Sequence, residues 1–177
     1  DIKGEASGDE SGVSIDLSAD GFVVVVGAYQ NDGNGFDSGH VCVFKYDTDD
    51  GDWIQRGDDI DGESAEDWSG ISVAMSVDGT AIAIGARYND GNGNDSGHTR
   101  IYDFDTNNQL WVKRGEDIDG EAEDDQSGYV VSMSADGSRV GINGEITNAL
   151  RIFQWKLCPS PPSSMPTRTP DVSTIHM

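Results

Sequence analysis

Seven oxygen-bearing side chains sit in two matching stretches: Asp32, Asn34 and Asp37 within Asn31 to His40, and Asp90, Asn92, Asn94 and Asp95 within Asn89 to His98. The stretches differ at one position, Phe36 against Asn94. Donors at alternating residues can converge on a hard cation such as calcium, which takes roughly six to eight oxygens in a flexible cage. The same composition also makes polar turns, because Asn and Asp bond nearby backbone and Gly supplies positive φ. Three roles are therefore open: a metal-binding turn, a recognition surface, or a long hairpin connection.

The run Asp90-x-Asn92-x-Asn94 matches the start of an EF-hand loop, but Asp95 stands where that loop needs Gly and the closing glutamate is missing. Gly91-x-Gly93-x-Asp95 echoes calcium-binding nonapeptide repeats without their tandem stacking. His40 and His98 end the two stretches, and a hydrogen bond closing the loop is the expected role for each imidazole. Two histidines on different repeats make no evident zinc site. Ser38 and Ser96 stand beside them without an acid and oxyanion partner, which argues against a hydrolase triad. The carboxylates of Glu116 to Asp125 read as solvated connections, since glycosidase chemistry needs one carboxyl held protonated. Trp53 and Trp111 hold one repeat position and are assigned to packing. Trp68 stands where the other copies have Glu10 and Gln126, and is the candidate recognition residue.

The elements that position these residues recur every 58 residues, as Asp1-Ile2-Lys3-Gly4-Glu5, Asp59-Ile60-Asp61-Gly62-Glu63 and Asp117-Ile118-Asp119-Gly120-Glu121 show. Ser11-Gly12, Ser69-Gly70 and Ser127-Gly128 keep the register, as do Asp20-Gly21, Asp78-Gly79 and Asp136-Gly137. Ile71, Val73 and Met75 alternate with small polar positions, the period of a strand. Asp78-Gly79 predicts a tight turn, Ala81 to Ala86 a second strand, Thr99 to Phe104 a third and Leu110 to Lys113 a fourth. Four short antiparallel strands per tandem unit predict all-β β-propeller blades. The units are 1–58, 59–116 and an incomplete 117–157 lacking the Asn-Asp-Gly stretch, followed by a Pro/Ser/Thr-rich tail at 158–177 expected to be disordered.

A formal net charge of −22 excludes a phosphate-neutralising nucleic-acid binder and suits a salty, extracellular medium. No apolar run approaches the ~18 residues of a membrane span. Cys42 and Cys158 occupy unrelated repeat positions and yield no disulfide framework. Since a ring needs roughly four to eight blades, the chain is expected to be a fragment of a larger propeller, or to associate through its edge strands. The absence of an initiator Met favours the fragment.

Ser69-Gly70-Ile71-Ser72-Val73-Ala74-Met75-Ser76, then Asp78-Gly79-Thr80, Ile84-Gly85-Ala86 and Ser96-Gly97-His98-Thr99-Arg100-Ile101-Tyr102, together resemble an FG-GAP-type repeat, the unit of the integrin α N-terminal propeller. Ser-Gly stands for the family's Phe-Gly, and Tyr29 or Arg87 for its proline. The family's Asp-x-Asp/Asn-x-Asp-Gly calcium loop is absent, so its calcium residues do not carry over. The Ser-x-Asp-Gly phrase is also similar to propellers related to WD repeats. The resemblance implies an about seven-bladed propeller, an extracellular or cell-surface setting and a role in adhesion or ligand binding. The expected role is non-enzymatic, with the oxygen-rich stretches offering calcium or another divalent cation a place to assist. The ligand is expected to be protein or carbohydrate at the loop face. A piece of a polysaccharide-acting propeller enzyme and a purely structural surface repeat are the competing functions. The stretches Asn31 to His40 and Asn89 to His98 are thus expected at one rim, between second and third strands.

Overall fold

The computed structural model describes residues 1–146 and 150–155. Three antiparallel sheets follow one another along the chain. The first contains β1 (Ser14–Leu17), β2 (Val23–Ala28), β3 (His40–Asp47) and β4 (Asp52–Gln55), in that order, with β5 (Ile60–Asp61) also on β3. The second repeats the plan with β6 (Ser69–Met75), β7 (Ala81–Ala86), β8 (His98–Asp105), β9 (Leu110–Lys113) and β10 (Ile118–Asp119). The third contains β11 (Ser127–Met133), β12 (Arg139–Gly144) and β13 (Leu150–Gln154). No helix occurs among the described residues.

The four strands expected in each full blade are therefore present, joined by a fifth that the sequence reading did not include. Each eight-residue strand has room for two partners along one edge: β3 pairs with β4 through Phe44 to Asp47 and with β5 through His40 and Val41. Because β5 opens the second sequence repeat yet completes the first sheet, repeats and sheets are out of phase. Main-chain hydrogen bonds thus tie each repeat to its predecessor. The tail at 158–177 and part of the short hairpin at Glu145 to Asn148 lie outside the described residues.

Each β1-to-β2 type connection is a Ser-x-Asp-Gly turn. Ser18 Oγ donates to Asp20 Oδ1 at 2.6 Å, and that oxygen also accepts the Phe22 N–H at 3.0 Å. Ser76 with Asp78 and Ser134 with Asp136 repeat the arrangement. The hydroxyls of Ser134 and Ser138 and the Ser138 N–H hold the Asp136 carboxyl down to about 2.

Alternation along the strands gives each sheet two faces, and the sheets stack. Val23, Val25, Val41 and Val43 of the first meet Val73, Met75, Ile82 and Ile84 of the second. Ala74, Ala83 and Ile101 of the second meet Val131, Val140 and Ile142 of the third. Polar clasps fix the stacking: Ser14 Oγ donates to the Gly70 carbonyl at 2.7 Å, and Ser72 Oγ to the Gly128 carbonyl at 2.9 Å. Arg56 and Arg114 each donate to the Asp-Gly turn of the next blade, at the Gly79 carbonyl (2.8 Å) and the Gly137 carbonyl (2.6 Å). Trp111 packs against the first interface and donates to the Arg56 carbonyl at 2.8 Å, so its packing role is between blades.

Candidate functional site

The two Asn-Asp-Gly stretches connect β2 to β3 and β7 to β8, at one end of the stack. Most of their polar atoms brace the loop itself. Asp32 Oδ1 accepts the Asp37 N–H at 2.8 Å and Asp90 Oδ1 accepts the Asp95 N–H at 2.9 Å. These Asx bonds hold Asp37 and Asp95 at φ of 50° and 51°, a region that Asp tolerates better than most residues. Asn34 Nδ2 donates to the Gly62 and Glu63 carbonyls at 2.8 and 3.0 Å, and Asn92 Nδ2 to the Gly120 carbonyl at 2.8 Å. Each loop is thereby pinned to the leading segment of the following repeat.

The loop-closing hydrogen bond expected of His40 and His98 is made by their neighbours instead. Ser38 Oγ donates to the Asn31 carbonyl and Ser96 Oγ to the Asn89 carbonyl, each at 3.2 Å. Both hydroxyls are buried, and a hydroxyl can turn to suit a nearby carbonyl where a strand-fixed imidazole cannot. His98 Nε2 is left buried without a partner.

Of the seven candidate metal ligands, the structure brings the carboxylates of Asp90 and Asp95 near each other and near Asp124. Burial first, then the charges of Asp90 and Asp124, raise the Asp95 carboxyl above its usual range. Asn34 and Asn92 donate their amide N–H groups to backbone carbonyls, and the Asn94 main-chain carbonyl accepts the Asp124 N–H at 2.9 Å.

The loops also aim the candidate recognition residue. The carbonyls of Phe36 and Asp37 accept the N–H groups of Glu66 and Trp68, at 2.8 and 3.2 Å. Trp68, half-buried with φ of 57°, is wedged between Tyr29 and Tyr88, each with its ring centre 4.7 Å away. The Arg87 guanidinium lies 4.8 Å from the Trp68 ring, 4.4 Å from Tyr88 and 5.1 Å from Tyr129. A row of aromatic and cationic side chains drawn from all three repeats therefore runs along this end, with Phe36 64% exposed on the first loop. Sequence reasoning found only Trp68, because Tyr29, Tyr88 and Tyr129 occupy three different positions of the 58-residue period. The signal available was Phe36, an apolar residue standing where its copy has Asn94.

A groove of about 780 Å³ lies toward the Asp-Gly turns, between Tyr46 and Arg56 of the first blade and Asp78 and Gln109 of the second. Burial raises the Asp78 carboxyl but its turn hydroxyls and N–H groups together outweigh that, and the matching groups lower Asp20, so both lie below their usual range, the opposite of what a general acid requires.

A family model described as the FG-GAP repeat matches residues 3–44 and 60–102. The chain carries FG-GAP repeats. The matched segments contain β1, β2 and most of β3, and β5 to most of β8, so the FG-GAP unit here is the strand trio with its Asn-Asp-Gly connection. No curated protein matches the chain. Among solved structures, a protein provisionally named a 6-phosphogluconolactonase from Bacteroides fragilis NCTC 9343 has 16% identity and a TM-score of 0.56, over 80% of this chain and 34% of that one. A similarly named protein from Bacteroides uniformis ATCC 8492 has 13% identity and a TM-score of 0.56, over 91% and 39%. Hydrazine synthase from Kuenenia stuttgartiensis has 14% identity and a TM-score of 0.51, over 79% and 44%. The chain thus spans less than half of each of these structures. At such identities the likeness speaks to fold alone, and that fold is propeller-like.

Proposed function

We propose that these FG-GAP repeats form a non-enzymatic ligand-binding module of an extracellular or cell-surface protein, gripping a carbohydrate or protein ligand at the loop end with divalent cations assisting. The observation that carries the reading is the row Tyr29, Trp68, Tyr88, Arg87 and Tyr129, with Phe36 beside it. Aromatic faces stack on sugar rings and anchor protein interfaces, and arginine over aromatics is a frequent partner in both. The Asp90, Asp95 and Asp124 carboxylates give this end a negative field that attracts divalent cations. The acidic surface suits an ion-rich medium, argues against nucleic-acid partners, and no helix among the described residues is long and apolar enough to cross a membrane.

Further blades complete the module in this reading. Ile15 and Leu17 are 62% and 51% exposed on the outer face of the first blade, whereas their counterparts Val73 and Met75 are buried against that blade. A preceding blade, or a second copy, would cover them as the first blade covers the second.

The test is binding of the chain to immobilised polysaccharides and matrix proteins with and without calcium. Phe36→Ala and Tyr129→Ala, both at exposed positions, are expected to weaken a detected interaction by about 1–3 kcal/mol without lowering the melting temperature. Binding that survives both substitutions places the ligand elsewhere.

A further inference from the structure

We propose that His40, Cys42 and Asp59 form a zinc-type metal site, open at its fourth position to a cavity of about 220 Å³ in the first blade. His40 and Cys42 are two apart on β3, so both side chains leave the same face of the strand. Asp59 arrives from the turn before β5, which pairs His40 with Asp61 and so brings the chain back beside β3. Cys42 Sγ lies 3.7 Å from His40 Nε2 and 3.0 Å from Asp59 Oδ1, and the three donor atoms lie within 4.8 Å of one another. In a tetrahedral zinc site a sulfur and a nitrogen ligand stand about 3.6 Å apart, given the usual metal–ligand lengths. Thiolate, imidazole and carboxylate together are a donor set suited to zinc rather than to calcium.

The surrounding groups support the donors in the manner of an outer shell. Glu5 Oε2 stands 3.8 Å from His40 Nδ1, on the ring edge away from the thiol, and Gln55 Nε2 donates to Asp59 Oδ1 at 2.7 Å. His40 and Cys42 are 4% and 8% exposed, so they are held rather than solvated.

The second repeat serves as an internal control. Glu63, His98 and Asp117 reproduce Glu5, His40 and Asp59, yet Arg100 replaces Cys42 and Lys113 replaces Gln55. Arg100 Nη1 lies 3.7 Å from Glu63, and Lys113 Nζ donates to Asp117 at 2.8 Å. Two protein cations thus neutralise in the second blade the carboxylates that the first blade leaves beside a thiol and an opening. Lys3 reaches the wall of that opening, and among the described residues it lies within 4.0 Å of no carboxylate. In the metal-free chain the thiol stays protonated, raised by burial and by Asp59, and binding releases its proton.

The full chain is titrated with cobalt(II), which substitutes for zinc and reports a thiolate ligand by charge-transfer absorption, and then with zinc to displace it. One equivalent of cobalt is expected to give the band in the wild type, in Cys158→Ser and in His98→Asn. Cys42→Ser and Cys42→Arg are expected to abolish it, and Cys42→Arg keeps the fold because the second blade already accommodates Arg100. Gln55→Ala, touching only the Asp59 carboxylate, is expected to weaken zinc binding by about tenfold. A missing band in the wild type overturns the site. So does a band that survives Cys42→Ser or disappears with Cys158→Ser.

Discussion

His98 shows how one substitution between repeats changes the character of its neighbours. It is 1% exposed, Nε2 has no partner, and Arg100 stands beside it. Burial, then the Arg100 charge and to a smaller extent Lys113, depress its pKa to about 4, against the opposing pull of Asp117; Glu63 faces Nδ1 at 4.0 Å. The folded chain therefore keeps His98 neutral where the unfolded chain protonates it. Below about pH 6.5 the unfolded state binds the extra proton, so this stability is present above that pH and is lost as pH falls toward about 4. The expected loss approaches about 3 kcal/mol across that interval. Asp67 and Asp119, raised chiefly by burial, act in the opposite sense at the acid end of the range. Urea unfolding between pH 7 and pH 5 should show a falling midpoint in the wild type and a flatter profile in His98→Asn. Equal slopes would mean that the buried imidazole does not carry the dependence.

At the scale of elements, the blades dock through positions that the third blade has lost. Gly27 on β2 and Gly85 on β7 lie against the Gly70 and Gly128 carbonyls, and a Cβ at either would overlap the facing oxygen. The third member of the series is Asn143. Likewise Ser14 and Ser72 clasp the next blade, while Val130 takes their place at 49% exposure. At the other end, Gly12 has φ of 91°, in the left-handed region that Gly70 (86°) and Gly128 (91°) also occupy, with nothing near its Cβ direction. The array is therefore polar: its first blade retains the docking face and its third has replaced the residues that would grip another. Gly85→Ala should destabilise the chain by about 1–3 kcal/mol through overpacking against Gly128, read as a lower unfolding midpoint. An unchanged midpoint would show that the blades can separate there without cost. The regular strands were legible in the sequence: β7 spans Ala81–Ala86 and β9 Leu110–Lys113, as the alternation predicts. β6 begins earlier than the alternation, at Ser69, because the pairing shifts register between Ser69 and Ser72. β5 and β10 were not legible, since two residues carry no periodicity and their pairing is decided by the neighbouring repeat.

For the whole molecule, the net charge of −22 opposes compaction, and it does so through a field rather than through particular pairs. Raising monovalent salt from roughly 10 to 150 mM shortens the Debye length from about 30 to 8 Å and should raise the melting temperature. Calcium at millimolar concentration and matched ionic strength should raise it further if the Asp90, Asp95 and Asp124 cluster binds in the folded state alone. Equal melting temperatures at matched ionic strength would reduce calcium to a screening ion. This readout is independent of the cobalt band, because the loop carboxylates and the His40, Cys42 and Asp59 cluster are separate sets of side chains.

The sequence by itself determined the repeat, the strand alternation, the Asp-Gly turns and the propeller-type architecture, because these depend on residues close along the chain and on a 58-residue period that any copy reveals. It marked the Asn-Asp-Gly stretches but not what their side chains bond. Tertiary structure alone decided that Asn34 and Asn92 brace the next repeat, that Tyr29, Trp68 and Tyr88 share one surface, and that Asp59 returns beside His40 and Cys42. Each of these contacts joins residues far apart in sequence or at unlike repeat positions. Periodicity cannot encode such contacts, and stacking twisted sheets through glycine-sized gaps settles them.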